Sequence, residues 1–491
     1  MRHKTLTDSN VRVLDSGFVG RRRRIQEGVS VLRGDADKHG LLARGPAGIG
    51  KSCLIGKLVD RFAHGQDKKE LVVFHGKISE ADVIVKLRGL LKRLGNKEGL
   101  AILKSDDAYE EKIEALFRTV FKDSLPTIIY FDDFEQNLDR QGNRYYLKAD
   151  AITIIRPFLE AVDWAEGNSN VVISSRYPFI LEHEGENLPD KKLFDIALMS
   201  FYGADLAKKK RELEFIAKSK HAALYLKYGG GNPRLLEWLN VIARDEGKYD
   251  LADLETKLRG KQDEFIHDYL ADVIAATEGE DFHKFIQRAA VYREPVGATA
   301  FDSSGGDQFL DTGVDLTLIE REVRAALAIK EVSRDEFVYW VTPVIADSMW
   351  GKLTAAEHLE MHGLAYQWYD GWIAKATEPN YKYMEEAVRH ALEVDNIRGA
   401  CPHASALGRY FDQIVLYRQG RAIMEQVAVK VSDAMVDEAK TTKDATVADF
   451  LHEYAYSLLR FGDLKKAIEY FEKSLALYFC TFLLTGFLCG F

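Results

Sequence analysis

Short apolar runs alternate with amphipathic stretches in the first third of the chain. Four runs have the length and continuous hydrophobicity of buried strands: Leu41–Arg44, Leu71–His75, Thr127–Asp132 and Val171–Ser175. The helical spacing of apolar residues follows the first run and the second, over residues 51–62 and 78–94. This alternation is typical of βαβ units, so it predicts an α/β fold with a parallel sheet covered by helices on both faces.

From about residue 201 onward the strand-like runs fade and helical periodicity dominates, beginning with the charged stretch Asp205–Lys220. A helical segment over Leu316–Ala328 precedes two strand-like runs, Ile329–Val332 and Phe337–Val341, and helices followed by a hairpin predict a winged-helix unit. Beyond Thr354 the pattern indicates helices separated by Gly, Asn or Asp. We therefore expect an array of helical hairpins after the α/β region.

Composition narrows the class of protein. The chain has 491 residues, of which 46% are hydrophobic and 29% charged, as in ordinary globular proteins with several domains. Its four cysteines are scattered without a CxxC pair, and it shows neither a secretory leader nor a spanning apolar run, so we expect a cytoplasmic protein without a membrane segment. The net charge of −9 makes nucleic acid an unexpected partner.

The segment Gly45–Ser52 reads GPAGIGKS and satisfies the P-loop pattern between a predicted strand and a predicted helix. Its glycines let backbone N–H groups approach phosphates, at the positive end of the new helix. Lys51 would neutralise the β and γ phosphates of ATP, or the β phosphate of ADP, and Ser52 would bind Mg²⁺. The alternative is a glycine-rich turn without a ligand. The predicted nucleotide contacts of this loop are Gly45, Pro46, Ala47, Gly48, Ile49, Gly50, Lys51, Ser52 and Cys53.

Acidic residues follow the strand Thr127–Asp132, where hydrolysis needs a carboxylate to organise Mg²⁺ and water. We predict that Asp132 joins Ser52 in the Mg²⁺ shell and that Asp133 orients or activates the attacking water, with Glu135 as the second candidate base. A solvated turn is the alternative. The next strand runs into Arg176, whose guanidinium would reach the γ-phosphate at the carboxyl edge of the sheet, or would simply end a strand on the surface.

Together these segments resemble the STAND class of P-loop NTPases, signalling ATPases related to AAA+ that include the NB-ARC and NACHT groups. The resemblance covers about residues 15–365 and adds three matches: Phe18–Arg21 to the motif ahead of the P-loop, Ser174–Arg176 to the sensor, and Gly231–Pro233 to the lid. It implies that Val19 and Arg21 contact the nucleotide and that Pro233 lies against adenine.

Two positions depart from that family pattern. Arg22 stands where the motif ahead of the P-loop usually has Glu, and it belongs to the basic run Arg21–Arg24. Thr342 stands where a His that senses the β-phosphate of ADP is common. The second departure puts ADP locking through this position in doubt, although the Thr342 hydroxyl could still donate a hydrogen bond.

The segment Leu451–Leu477 resembles one tetratricopeptide repeat, with small residues at Ala455 and Ala467 where two helices would approach. A single repeat cannot bury its outer face, so we predict that preceding helices, Ala404–Val429 included, are divergent members of the same stack. The ending Tyr478–Phe491 carries no charge and makes a poor cap. A truncated or frame-disrupted terminus, a buried final element and an oligomer contact all remain open.

The predicted division is an N-terminal tail over 1–14, a P-loop NTPase core over 15–200, a helical lid over 201–275, a winged-helix domain over 276–360, tetratricopeptide-like repeats over 361–478 and an apolar tail over 479–491. The resemblance implies a slow ATPase that switches conformation with its nucleotide, self-associates in the ATP state and senses a protein or peptide trigger through the repeats, with the effector unidentified. Two rivals remain open: a DNA-acting AAA+ ATPase that uses the winged helix on duplex, and a STAND-type transcription regulator.

Overall fold

The structure of the protein is a computed structural model, which describes residues 3–5, 12–14, 18–64, 68–259, 269–270, 273, 280–301, 327–333, 336–341, 343–442 and 445–482. The chain divides into two compact units, Met1–Gly279 with Lys330–Asp335, and Glu280–Ile329 with Glu336–Phe491. Among the sequence-based expectations, those for Thr342, for most of the segment Leu316–Ala328 and for residues 483–491 of the apolar tail lie outside the described residues. Within the described residues, no helix combines the length and the apolar character that crossing a membrane requires.

The first unit is built on a parallel sheet of five strands. Their order across the sheet is Leu193–Ala197, Gly40–Arg44, Asn170–Ser175, Thr127–Asp132 and Glu70–His75. The two strands Asn170–Ser175 and Thr127–Asp132 are buried along their whole length, because helices cover both faces. The four predicted strands are confirmed, since each lies within one residue of its predicted bounds.

The fifth strand was not predicted from the sequence. Leu193–Ala197 lies at the edge of the sheet, and its exposed Asp195 pairs with Arg44 of the neighbouring strand at 2.8 Å. An edge strand is partly solvated and tolerates charge, so it lacks the continuous apolar run by which the other strands were predicted.

Helices surround this sheet, and a few short strands interrupt them. The helix that follows the P-loop buries Leu54, Ile55, Leu58, Val59 and Phe62, the apolar stripe expected of it. The helices of the unit are Arg22–Arg33, Lys51–His64, Glu80–Arg93, Lys97–Lys104, Tyr109–Arg118, Ala149–Ala161, Leu188–Lys192, Gly203–Glu212, Glu214–Lys218, Ala222–Gly229, Pro233–Arg244 and Leu251–Leu258. Its other described strands form three antiparallel pairs: His3–Thr5 with Arg12–Leu14, Leu138–Gln141 with Arg144–Leu147, and Glu182–His183 with Glu186–Asn187.

The charged stretch Asp205–Lys220, where helical periodicity was expected to begin, contains two helices that meet at Leu213. Leu213 is buried and leaves the helical conformation, with φ −90° and ψ 70°. The second helix begins under a side-chain cap, because the backbone N–H groups of Phe215 and Ile216 both donate to Oδ1 of Asn240 at 3.1 Å. Burial of Leu213 and this long-range cap are tertiary effects, which helical periodicity cannot reveal.

The second unit is mainly helical. Its helices are Glu280–Ala289, Pro343–Trp350, Ala355–Ile373, Tyr381–Glu393, Ile397–Gln413, Tyr417–Ala428, Asp433–Thr442, Ala445–Arg460 and Leu464–Phe482. Its strands Val296–Gly297 and Glu336–Val341 pair antiparallel, and the strand Leu327–Ser333 is divided between the two units at Lys330. In the last hairpin, Ala455 and Ala467 are buried, as the resemblance to a tetratricopeptide repeat requires.

A buried pair of histidines links two helices of the second unit. The Nδ1 atoms of His362 and His390 lie 2.8 Å apart, and Nη2 of Arg389 lies 2.9 Å from Nε2 of His390. A guanidinium can only donate, so Nε2 of His390 accepts, and the neutral ring carries its proton on Nδ1 and donates it to His362. Burial, together with neighbouring positive charge, lowers the pKa of each histidine to about 4.

These two histidines predict acid lability of the second unit. Because their pKa values are lower in the folded chain than in the unfolded one, stability is complete above about pH 6.5 and is lost as the pH falls toward about 4. We expect this shift to lower the free energy of unfolding by about 2 kcal/mol per histidine at about pH 5, measured by urea denaturation. His362→Gln, whose side chain can still accept from His390, should reduce this pH dependence, whereas His452→Gln on the surface should leave it unchanged.

Candidate nucleotide-binding site

The P-loop connects the strand Gly40–Arg44 to the helix Lys51–His64 at the carboxyl edge of the sheet. Gly45, Gly48 and Gly50 all have positive φ, the conformation that favours glycine. Nζ of Lys51 donates to the carbonyl oxygens of Gly45 and Pro46 at 3.0 and 3.2 Å, so the amine lies against the concave side of its own loop. Burial lowers the pKa of Lys51, and the carboxylates of Glu135 and Asp133 oppose that effect.

At Gly45 the structure shows a different reason for glycine from the expected one. The N–H of Gly45 donates to the carbonyl oxygen of Ser175 at 3.3 Å, so it does not turn toward a phosphate. A Cβ at Gly45 would lie 2.6 Å from the carbonyl oxygen of Leu198, so close packing of two backbones requires glycine there. A Cβ at Gly50, in contrast, would meet no atom within 4 Å, so the loop faces open space at that position.

Asp132 lies at the centre of a group of hydroxyl donors. Its Oδ1 accepts from Ser52 at 3.0 Å, from Tyr130 at 2.5 Å and from Ser174. Burial raises the pKa of Asp132, but His75 and the hydroxyl groups outweigh it and hold this pKa well below its usual range. Asp132 is therefore ionised and directly bonded to Ser52, its predicted partner in the Mg²⁺ shell.

Asp133 differs from its neighbour in conformation and in acidity. It has a left-handed backbone with φ 49°, and its side chain is 33% exposed. Burial and the charge of Asp132 raise the pKa of Asp133, which makes Asp133 the more basic carboxylate of the two. Environments that move the pKa values of two carboxylates apart suit a division of roles, with one as metal ligand and the other as base.

His75 was not among the predicted site residues, yet it faces both aspartates. It ends the strand next to Thr127–Asp132, and its ring nitrogens lie 3.6 Å from Oδ2 of Asp132 and 3.3 Å from Oδ2 of Asp133. Burial lowers the pKa of His75, but the interactions with the two carboxylates raise it to about 9. The imidazolium therefore compensates the negative charge of the two aspartates.

Arg176 and Glu135 form an ion pair at the same edge of the sheet. Nε of Arg176 lies 2.8 Å from Oε1 of Glu135, and the backbone N–H of Arg176 donates to Oε2 at 3.1 Å. The side chains are 27% and 14% exposed, respectively. Glu135, predicted only as a second candidate base, thus holds the arginine that was expected to contact the γ-phosphate.

The segment predicted as the lid, called the lid below, contacts the P-loop through its Gly231–Pro233 motif. Nδ2 of buried Asn232 donates to the carbonyl oxygen of Ala47 at 2.9 Å, while its Oδ1 caps the helix that Pro233 begins. The N–H of Arg234 donates to the carbonyl oxygen of Gly48 at 3.3 Å. Sequence reasoning assigned the nucleotide contact to Pro233, but Asn232 is the residue that bonds the lid to the loop.

The motif ahead of the P-loop, Phe18–Arg21, also connects the P-loop to the lid. Nη2 of Arg21 donates to the carbonyl oxygen of Ile49 at 3.3 Å, and its guanidinium lies 4.6 Å from the ring centre of Phe201. The backbone N–H of Arg21 donates to Asp205 in the lid at 3.2 Å. Val19 is buried. Arg21 therefore connects the P-loop to Phe201 and Asp205.

The chemistry of these groups fits ATP and Mg²⁺. An ammonium, glycines with positive φ and a helix N-terminus meet at open space beside Gly50, as phosphates require. Within the described part of the chain, no group of three or more His, Cys, Asp or Glu could hold a metal ion by itself. Ser52 and Asp132 alone suit Mg²⁺, which keeps water and phosphate oxygens in the rest of its shell.

Comparison with known proteins supports the fold described above. No model of a protein family matches the chain, and no curated protein matches it. The chain is similar in structure to a signal transduction ATPase with numerous domains (STAND) with a tetratricopeptide repeat sensor from Pyrococcus horikoshii, with a TM-score of 0.58 and 15% identity over 94% of this chain. The chain spans 64% of that protein's length.

A second solved structure, the ORC2 protein of Aeropyrum pernix in ADPNP and ADP complexes, matches 71% of this chain and 96% of its own length at 12% identity. Its TM-score of 0.31 is too low to support a comparison. The likeness to the STAND protein confirms the predicted fold. The chain has a STAND-like P-loop NTPase fold, a parallel α/β sheet followed by a helical array.

Proposed function

We propose that the chain is an ATP-binding, slowly hydrolysing STAND-type signalling ATPase that switches conformation and oligomeric state with its nucleotide. One observation carries the proposal: the lid residue Asn232 is bonded to the P-loop beside the groups that suit a triphosphate and Mg²⁺. A change at the phosphates can therefore reach the lid directly. The likeness to a STAND protein with a repeat sensor supports this proposal.

The residues of the site would divide the work of binding and hydrolysis. Lys51 would leave the carbonyl oxygens of Gly45 and Pro46 to neutralise the β and γ phosphates. Ser52 and Asp132 would hold Mg²⁺, and Asp133, the more basic carboxylate, would orient the attacking water. Bound ATP and Mg²⁺ would supply the transferable phosphoryl group and the charge that polarises it.

Arg176 would report the presence of the γ-phosphate. Its guanidinium is paired with Glu135, and a γ-phosphate would compete with that carboxylate for the same donors. Tyr177 follows Arg176 and stacks on Tyr145 of the hairpin Arg144–Leu147, with ring centroids 3.8 Å apart. A change of partner at Arg176 would therefore also affect the position of this hairpin.

The switch needs a sufficient difference in free energy between its two states. Moving an equilibrium from 1% to 99% open takes about 5.5 kcal/mol, so nucleotide and trigger would have to contribute together. The helical repeats would bind a protein or peptide trigger, and the ATP form would self-associate into a homo-oligomer. ADP would favour the closed monomer, and the protein would act in the cytoplasm.

Replacing Glu135 with glutamine tests the role of Arg176. The variant keeps the shape of the side chain but releases the guanidinium, so we expect preference for a non-hydrolysable ATP analogue over ADP to rise about fivefold. The measurement is titration with fluorescent nucleotides, with the molecular mass followed by light scattering. With the ATP analogue, but not with ADP, the molecular mass should exceed that of a monomer. In Glu135→Gln this increase should occur at a lower concentration of the analogue than in the wild type.

Arg176→Ala is the matched variant, and it should bind both nucleotides with little discrimination and remain monomeric. Because a non-hydrolysable analogue is used, a role of Glu135 as base would not affect either readout. An unchanged ratio of affinities in Glu135→Gln, or a wild-type mass that is the same with both nucleotides, would contradict the proposed switch.

A further inference from the structure

A polar cavity opens between two helices of the repeat array in the second unit. It has a volume of about 400 Å³ and lies between Ile397–Gln413 and Ala445–Arg460, with the end of Leu464–Phe482 closing one side. The side chains that matter for its chemistry are Ser405 and Arg409 from the first helix, Asp449 and Glu453 from the second, and Tyr478 from the third. We call this space the repeat cavity; its volume lies in the range of known ligand pockets.

Acidic groups outweigh basic ones around the repeat cavity. Nη1 of Arg409 pairs with Oε1 of Glu453 at 3.0 Å, which leaves Asp449 with the hydroxyl of Tyr478 as its donor. Burial and the charge of Asp449 raise the pKa of Tyr478 to about 12, so the phenol stays neutral and does not offset the carboxylate. Among the residues that the structure describes, no lysine or arginine pairs with Asp449.

Ser405 adds an independent observation that points to a ligand. The residue is only 3% exposed, it lines the repeat cavity, and its Oγ has no hydrogen-bond partner among the described residues. A buried hydroxyl without a partner costs free energy, and native proteins rarely keep one without a reason. A ligand group in the cavity with several N–H donors would satisfy it.

We propose that the repeat cavity binds the cationic side chain of a peptide, with arginine as the best fit. A guanidinium offers five donors in a plane, enough to reach the Asp449 carboxylate and the Ser405 hydroxyl at once. Its charge balances the carboxylate that the array leaves without a cation. The inference names the class of trigger and rests on the proposed function only in treating the array as the sensor, because binding itself needs no nucleotide.

The test uses the full chain and a labelled, acetylated and amidated pentapeptide of the form Gly-Ala-Arg-Ala-Gly. The same peptide with citrulline in place of arginine is the control, since citrulline keeps the shape and removes the charge. Fluorescence anisotropy should show at least about tenfold tighter binding of the arginine peptide. Equal affinity for the two peptides, or no binding of either at millimolar concentration, would overturn the inference.

Variants locate the binding site. Asp449→Asn should weaken the arginine peptide about tenfold, whereas Asp437→Asn, which removes an exposed carboxylate on the neighbouring helix Asp433–Thr442, should not. Ser405→Ala should weaken binding while the melting temperature of the free protein stays the same or rises, because an unsatisfied hydroxyl is removed. Equal losses in Asp449→Asn and Asp437→Asn would mean unspecific attraction and contradict the site.

The same samples separate this inference from the proposed function. Lys51→Ala should keep the peptide affinity of the wild type in the absence of nucleotide, because Lys51 belongs to the other unit. Asp449→Asn should keep its ATP affinity. Peptide binding without any effect on oligomerisation would preserve the repeat cavity as a binding site and refute only its role as the trigger site of a switch.

Discussion

Replacing Lys51 with alanine is expected to lower the affinity for ATP by at least about 100-fold, or about 2.7 kcal/mol. The ammonium is buried against its own loop, where Gly45 and Pro46 accept its hydrogen bonds. Among the described residues of this site, neither Arg176, whose proposed contact is the γ-phosphate alone, nor Arg21, which donates to Ile49, can replace it. Titration with a fluorescent ATP analogue measures the loss.

The stability of the Lys51→Ala variant should not decrease along with its affinity for ATP. Burial lowers the pKa of Lys51, so removing the amine relieves a desolvation cost while it forfeits two hydrogen bonds to carbonyl oxygens. We expect the midpoint of urea unfolding to change little. Lys57→Ala, at an exposed position of the same helix, is the control and should bind ATP as the wild type does. Wild-type affinity in Lys51→Ala would remove the basis of the proposed function.

The fold of the first unit could be predicted where burial is continuous. Thr127–Asp132 has the same bounds in the structure as in the prediction, because both faces of a central parallel strand are covered and the run Ile128–Phe131 is hydrophobic until the acid at its end. The hairpin Leu138–Gln141 with Arg144–Leu147 was missed, since its strands are short and largely exposed. Its Gly142–Asn143 turn was a signal that could have indicated it.

The site could be predicted where one segment carries the chemistry. The P-loop and the aspartates after the strand are local patterns, and the direct bond between Ser52 and Asp132 agrees with the metal site expected of them. The pairing of Glu135 with Arg176 depends on which strands lie side by side, as does the place of His75 next to the aspartates. Strand order is a property of the whole sheet, so residue patterns along the chain could not reveal these partners.

Replacing Gly231 with alanine is expected to destabilise the first unit by about 3 kcal/mol or more. Gly231 has φ +78°, and a Cβ there would lie 2.3 Å from the carbonyl oxygen of Phe201, whose N–H donates a hydrogen bond to the Gly231 carbonyl oxygen at 2.8 Å. The obstacle is backbone, which cannot turn away as a side chain can. Phe201 would have to move, and it supports the guanidinium of Arg21 beneath the P-loop.

A variant of the neighbouring Gly230 separates the effect of this steric clash from the effect of backbone strain. Gly230 also has a positive φ, +52°, but a Cβ there would meet no atom within 4 Å, so Gly230→Ala should cost only about 1 kcal/mol. Both variants are compared by urea denaturation, with ADP affinity measured in parallel. Because Asn232 follows Gly231 and bonds the lid to Ala47, only Gly231→Ala should also weaken ADP binding. Similar losses of stability and of ADP affinity in the two variants would mean that the contact between the lid and the P-loop contributes nothing beyond the local backbone conformation. The lid could then not transmit the nucleotide state.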